Sequence, residues 1–366
     1  MFGVQDDLMR DSFALLRMTN KKRTLLLIDG NNLFYRAYHA LPPLSDKTGE
    51  NANAVFGFSN MLLRATKEVE PTYIACAFDT KAPTFRHVEF EAYKAQRKPP
   101  PDDLYPQLPK VKSMLDAFGI AYFEKEGYEA DDLLGTLAMK AIRGQESDVS
   151  KKDKKKNTKL QALTTNKLQV VILSGDRDLL QIVDGDIKVQ APGWNLSSTT
   201  LYGSKEVEEK FGITPEQMVD YKAITGDASD NIPGIAGIGP KTASALLQKY
   251  KTLEGIFKEL DNDPVSLGSV ADKLKAGKDV AFAAKKLIKL DTNVEISCQL
   301  SELRFDPDWE KVISEFERLG FKSIVSKIVG GKVKEGLFLI GQKANVSNGT
   351  KVLNVDEVDN DQLELI

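Results

Sequence analysis

Three short apolar runs constrain this chain more than anything else in it. Thr24 to Ile28, Tyr73 to Phe78 and Val170 to Leu173 are each too short for a helix and apolar throughout, as expected of strands buried on both faces of a parallel sheet. Each run ends at acids: Asp29, Asp79, and Asp176 with Asp178. A fourth group, Glu129-Ala130-Asp131-Asp132, opens a helical pattern in which Leu134, Leu137, Ala138, Ala141 and Ile142 share one face. Alone, that group reads as a capped amphipathic helix, since acids are favoured at a helix N-terminus. Parallel neighbours, however, would bring all four groups to one sheet edge, where open α/β sheets place their sites.

That convergence has an electrostatic consequence. Two carboxylates ~4 Å apart at an effective dielectric of about 20 repel by roughly 4 kcal/mol. A cluster of such pairs weighs heavily against a total stability on the order of 5–15 kcal/mol. Either the acids stay apart or cations neutralise them. With only two cysteines and two histidines in 366 residues, and none in metal spacing, the ligands would be all oxygen, which favours Mg²⁺ or Mn²⁺. Two such ions suit phosphodiester hydrolysis, one activating water and the other stabilising the leaving oxygen. A net charge of −3 excludes global basicity as the means of holding nucleic acid, so any such partner needs local patches.

Two stretches supply such patches. Residues 80–112 interleave Lys81, Arg86, His87, Lys94, Arg97, Lys98, Lys110 and Lys112 with Phe85, Phe90 and Tyr93, a mixture suited to single-stranded nucleic acid. Thr214-Pro215-Glu216 starts a helix. Beyond it, Gly226-Asp227-Ala228-Ser229-Asp230-Asn231 and the turn Gly234 to Lys241-Thr242 precede another helix. No strand precedes Gly237-Ile238-Gly239, so it is no dinucleotide fingerprint; a glycine turn with free N–H groups suits a DNA phosphate. The bland reading of the first stretch is a solvated amphipathic helix and loop, and of the second a tight helix-turn-helix packed for its own sake. Ile187 to Ala191 and Thr199 to Tyr202 are expected to form a hairpin around Gly193.

The organisation expected is a leader at 1–20, an α/β core at 21–203, a helical region at 204–330 and a tail at 331–366. Within the core the helix after Asp132 is expected to stop at Ile142, giving way to a flexible lysine-rich loop at 144–167, with six lysines between Lys151 and Lys159. Met18 offers a second start. No apolar run reaches the length of a membrane span.

The ordered series Asp29-Gly-Asn with Arg36, Phe78-Asp79, Ala82 to His87, Tyr93-Lys94 with Arg97, Glu129 to Asp132, Ser174 to Asp178, and Gly226 to Gly234 resembles the 5′ nuclease (flap endonuclease) family, over roughly residues 23 to 328. It is most similar to the 5′→3′ exonuclease domain of bacterial DNA polymerase I. The resemblance implies a PIN-like α/β fold, a mostly parallel twisted sheet flanked by helices, with a helix-three-turn-helix (helix-hairpin-helix-like) DNA-binding region. It implies a helical arch at about 81–110 that threads a 5′ single strand. Carried over by motif, Asp29, Asp79, Glu129, Asp131, Asp132, Asp176, Asp178, Asp227 and Asp230 are metal-site acids for two divalent cations. Arg36, Lys94 and Arg97 are catalytic cations near the scissile phosphate. Arg86, Tyr93 (stacking), Gly237, Gly239, Lys241 and Thr242 contact DNA, and the carbonyls of Gly237 and Gly239 form a K⁺ site.

The implied activity is structure-specific 5′→3′ exonuclease and flap endonuclease cleavage in replication and repair, by a cytoplasmic, nucleoid-associated monomer. Its partners would be DNA with 5′ flaps or ends and RNA primer–DNA junctions. The chain stops where polymerase I would continue, so it reads as a free-standing nuclease. Gln362, Leu363, Leu365 and Ile366 are similar to a sliding-clamp-binding peptide. Two other readings use the same residues: a non-catalytic junction binder and a PIN-type ribonuclease.

Overall fold

The computed structural model describes residues 23–152, 167–193 and 198–334. Leader residues 1–20, most of the lysine-rich loop, and the peptide Gln362 to Ile366 lie outside the described residues. A six-stranded sheet has the order β3-β2-β1-β4-β5-β6. The strands are β1 (Thr24–Asp29), β2 (Tyr73–Ala77), β3 (Ala121–Phe123), β4 (Gln169–Leu173), β5 (Ile187–Pro192) and β6 (Thr199–Tyr202). Only β6 runs antiparallel, forming the expected hairpin with β5.

β1 is central and wholly buried, which explains its unbroken apolar sequence. Its side chains alternate between two cores. Leu25 and Leu27 face the layer containing α5 (Ala130–Lys152), whereas Leu26 and Ile28 face α1 (Gly30–Ala40), α2 (Asn53–Val69) and α4 (Leu108–Phe118). Each buried leucine contributes roughly 1.5–3 kcal/mol. β2 and β4 flank β1 in parallel register, so the chain leaves β1 toward opposite sides. A crevice at such a switch point, outside the strands' C-terminal ends, is where a site is expected.

The helical region comprises α6 (Ser204–Phe211), α7 (Met218–Thr225), α8 (Pro240–Tyr250), α9 (Leu253–Asn262) and α10 (Ala271–Ile288). Its apolar residues join the α5-side core without a break. The chain then returns to the other side of the sheet. Val312, Phe316 and Leu319 of α11 (Trp309–Leu319), with Ile324 and Ile328 of α12 (Lys322–Lys334), pack with Leu115 and Phe118 of α4. Residues after Trp309 thus complete the α/β core rather than extend the helical region.

Two expectations need correction. The helix after Glu129 does not stop at Ile142 but continues to Lys152. Once its first turns are anchored by Leu133, Leu134 and Leu137, each further residue adds a hydrogen bond without a new nucleation cost. Nor is 81–110 a helical arch. It holds one five-residue helix, α3 (Phe85–Glu89), then turns from Glu91 to Gln96 and a 3-10 turn at Tyr105–Gln107 that leads into α4. Pro99-Pro100-Pro101 removes three backbone donors there, and Lys94 has left-handed backbone (φ 54°).

Candidate metal centre and its nuclease family

Asp29 ends β1 and also caps α1, where it accepts from the Asn32 N–H at 3.0 Å. Its other oxygen accepts from the Ser174 hydroxyl at 2.6 Å, tying β1 to the end of β4. Asp79 follows β2 and accepts from the Ala130 N–H at 2.7 Å, which fixes the start of α5 against the sheet. Asp176 caps the turn after β4 by accepting from the Asp178 N–H at 2.8 Å. The capping duties that made each acid look ordinary are therefore the bonds that aim it at the switch-point crevice.

These carboxylates feel one another. Burial raises the Asp29 carboxyl to about 7 against the bonds from Ser174 and Asn32, and Asp79 and Asp176 add to the rise. Asp79 is raised by burial and then by Glu129. Asp131 is raised well above the ordinary range by burial and by Asp132. None of Asp29, Asp79, Asp131 and Asp176 has a cationic side chain within ion-pair distance among the described residues.

A second group is neutralised from within. The Lys94 ammonium lies 2.7 Å from Glu129 and 3.8 Å from Asp230, and Arg97 is 2.7 Å from Asp230. The Tyr93 hydroxyl sits 2.9 Å from Glu129 and 3.0 Å from Asp230. Lys222 of α7 bridges Asp178 and Asp227, at 2.6 Å from the latter. Burial opposes ionisation of Asp227, but Lys222 and the Ser229 bonds prevail and lower its carboxyl to about 2. Asp178, more deeply enclosed, is raised by burial to about 7 despite Lys222. Asp178, Asp227 and Asp230 offer oxygens within 4.8 Å of one another. The all-oxygen donors of both groups fit a hard divalent cation.

Lys222 was not among the candidate residues. Its signal was faint: one lysine on a short, mostly apolar helix, five residues before Asp227. The loop it serves is closed by reciprocal backbone bonds between Asp227 and Ile232, at 2.8 and 2.9 Å. Gly226 has φ +77°, and a Cβ there would lie 2.6 Å from the Gly234 nitrogen, so the loop's two ends meet only because both are glycine.

Several expected roles change. Asp132 is taken up by protein partners instead. Fully buried, its two oxygens accept from Arg86 at 2.7 and 2.8 Å and from the N–H groups of Glu129 and Asp291 at 3.2 and 2.9 Å, which leaves no oxygen for an ion. Arg86 is not a DNA contact, since the same pair and the carbonyls of Leu287 and Lys289 enclose it. Tyr93 cannot stack on a base here, because it is 3% exposed and its hydroxyl bridges two acids. Arg36 is half-buried on α1, with Nε lacking a partner, in a cleft shared with Asp176, Arg177 and Lys210. Gly237 and Gly239 are exposed on either side of buried Ile238, and Lys241 is exposed and Thr242 partly so at the start of α8. The expected K⁺ site does not fit well: the Gly237 carbonyl already accepts from Lys273 at 3.1 Å.

Residues 24–160 match the family described as the 5′-3′ exonuclease N-terminal resolvase-like domain, and residues 213–311 match the 5′-3′ exonuclease C-terminal SAM fold. The chain belongs to the 5′-3′ exonuclease family. The first matched segment carries Asp29, Asp79, Glu129, Asp131 and Asp132 and the second Asp227 and Asp230, while Asp176 and Asp178 lie between the two. The chain is 39% identical to DNA polymerase I of Caldicellulosiruptor bescii over 308 residues, 83% of this chain and 33% of that protein. Over 312 residues it is 37% identical to DNA polymerase I of Bacillus subtilis, covering 85% of this chain and 33% of that protein. The 5′-3′ exonuclease thus spans about a third of the length of these polymerases. Its fold is that of the phage T5 D15 flap endonuclease, solved with DNA and metal ions (TM-score 0.55, 17% identity, 85% of this chain and 98% of that one). The catalytic core of Rad2, solved with DNA substrate, is similar too (TM-score 0.52, 15% identity, 82% and 88%).

Proposed function

We propose that this 5′-3′ exonuclease is a structure-specific nuclease that removes 5′ flaps and RNA-primer-derived 5′ ends from DNA during replication and repair. The observation that carries the reading is the convergence of Asp29, Asp79, Asp131 and Asp176 at one sheet edge without a cation of their own. A binding module gains nothing from uncompensated charge beside phosphates, whereas a metal-dependent hydrolase needs it. Asp29, Asp79, Asp131 and Asp176 would hold one divalent ion, and Asp178, Asp227 and Asp230, linked to Glu129 through Tyr93 and Lys94, the other, Mg²⁺ or Mn²⁺ in each case. When bound, the pair supplies Lewis-acid activation of water and stabilisation of the leaving oxygen.

The chain's own residues do the rest. Ser174 and the N–H groups of Asn32 and Ala130 hold the acids in place. Lys94 and Arg97 lie where their charge meets a phosphate drawn to the acids, and they stabilise its growing negative charge. The exposed turn at Gly237 and Gly239, with Lys241 and Thr242, holds duplex phosphates through free N–H groups. No described helix is long and apolar enough to cross a membrane. The substrate implies the cytoplasm and its nucleoid as the working compartment, and one chain carries the whole site, so the working form is a monomer. The peptide Gln362 to Ile366 would dock the sliding clamp.

The test uses a 5′-flap DNA and a single-stranded RNA, each incubated with Mg²⁺ and with EDTA. Flap cleavage that requires metal, leaves a 5′-phosphate and is lost in Asp176→Ala while DNA binding persists is the expected outcome. Cleavage surviving EDTA, or full activity in that variant, overturns the two-metal reading; preferential cleavage of the RNA overturns the substrate.

A further inference from the structure

Lys273 occupies an unusual place. It lies in the first turn of α10, where the helix dipole disfavours a cation. No carboxylate comes within ion-pair distance of it among the described residues, and its ammonium donates instead to the Gly237 carbonyl at 3.1 Å. Gly237 is shaped to receive it. Its φ of +76° turns the backbone outward, and a Cβ there would lie 3.2 Å from Lys273 Cε and 3.3 Å from Cδ and Nζ. One turn along α10, Gly277 lies so close to the glycine turn that a Cβ would fall 2.6 Å from Ile235 Cγ2. The helix is therefore clamped to the turn at Gly277, and Lys273 stands over the carbonyl on the same face.

We infer that Lys273 is the resident cation of the duplex-binding turn: it holds the Gly237 carbonyl and presents its remaining N–H donors to a DNA phosphate, so duplex binding by this chain does not depend on K⁺. This rests on the reading that the turn grips duplex DNA. An ammonium is a compact charge with three donors, so one bond to Gly237 leaves two for a phosphate. A helix-borne cation is present at every salt composition, whereas a bound ion must be drawn from solution.

Fluorescence anisotropy of a labelled 5′-flap duplex in EDTA tests this, with KCl replaced by tetramethylammonium chloride at constant ionic strength. Wild-type affinity should be the same in both salts. Lys273→Ala should bind on the order of tenfold more weakly in tetramethylammonium, the worth of one charged hydrogen bond, and should recover when K⁺ is restored. Lys273→Arg should stay indifferent to K⁺. A K⁺ requirement in the wild type overturns the inference. So does a Lys273→Ala defect equal in both salts, which is a plain phosphate contact, or no defect in either. Lys241→Ala separates the two layers: if it too leaves binding intact, the turn is not the duplex face; if it weakens binding while Lys273→Ala does not, only the role of Lys273 falls.

Discussion

The two halves of the acid centre differ in who supplies the positive charge. Around Asp29, Asp79, Asp131 and Asp176, burial and mutual repulsion push the Asp29, Asp79 and Asp131 carboxyls upward; Lys94, Arg97 and Arg86 oppose this only from a distance, and among the described residues no side-chain cation lies within ion-pair reach of the four. Around Glu129, Asp178, Asp227 and Asp230, three cations, Lys94, Arg97 and Lys222, already sit on the oxygens. The first half is a vacancy of charge, open to a divalent ion at no cost beyond proton loss. In the second, an arriving ion must displace a lysine or arginine, so its affinity is set by competition within the protein.

The largest expected effect sets Asp131 against its neighbour. Asp131→Ala should lower flap cleavage by on the order of a thousandfold, several kcal/mol of transition-state stabilisation, while the melting temperature holds or rises. A mild rate loss would show that the uncompensated half is not the reacting half. Arg86→Ala leaves Asp132 buried without its partner, so it should cost about 3–5 kcal/mol of stability in urea titration. If Arg86→Ala left stability untouched and abolished only metal binding, Asp132 would return to the ligand set.

Lys222→Met tests competition in the second half. Mn²⁺ titration by calorimetry should show the weaker site tightening by roughly tenfold, since a resident ammonium no longer opposes the ion. Unchanged or weaker Mn²⁺ binding would mean that Lys222 helps rather than competes. The smallest effect is in pH. Asp29 and Asp178 hold their protons to about 7 in the folded chain against an ordinary 3.8, so the folded state binds more protons than the unfolded one between those values. Metal-free stability is therefore fully present below about pH 4 as far as these groups go, and is lost as pH rises through about 7. Scanning calorimetry should show a melting temperature that falls as pH rises through that window, and a flatter profile with Mg²⁺. A melting temperature that climbs over the same window would contradict the proton bookkeeping.

Much of this was legible in the sequence because it is local. Apolar runs ending in acids announced β1, β2 and β4 and their sheet edge, since strands buried on both faces have no polar side to show. Capping and turn signals announced the hairpin and the start of the Pro215 turn, where Thr214 and Gln217 form a capping box. What escaped was tertiary. Nothing near Arg86 marks a partner 46 residues away, so a buried ion pair looked like two surface functions. Lys222 and Tyr93 escaped likewise: a charge or hydroxyl on a short segment reveals its partner only when distant loops meet. The placement of α12 escaped too: Lys322 to Lys334 carries little amphipathic pattern of its own, runs past the expected boundary at 330 and folds onto a face made by others.

The segment between α3 and the Tyr105 turn is tied in two different ways. Its feet are bolted to protein: Arg86 to Asp132 and the end of α10, and Asp103 to Tyr38 and Asn51 at 2.6 and 2.7 Å. Its middle is moored to the centre and its rim, through Tyr93, Lys94 and Arg97 on the acids and through Gln96 on the Ala228 carbonyl. Charge that reaches Glu129 and Asp230 from solvent contends for those same moorings. The middle of the segment and the metal-site acids therefore draw on the same oxygens, whereas its feet hydrogen-bond to neither Glu129 nor Asp230.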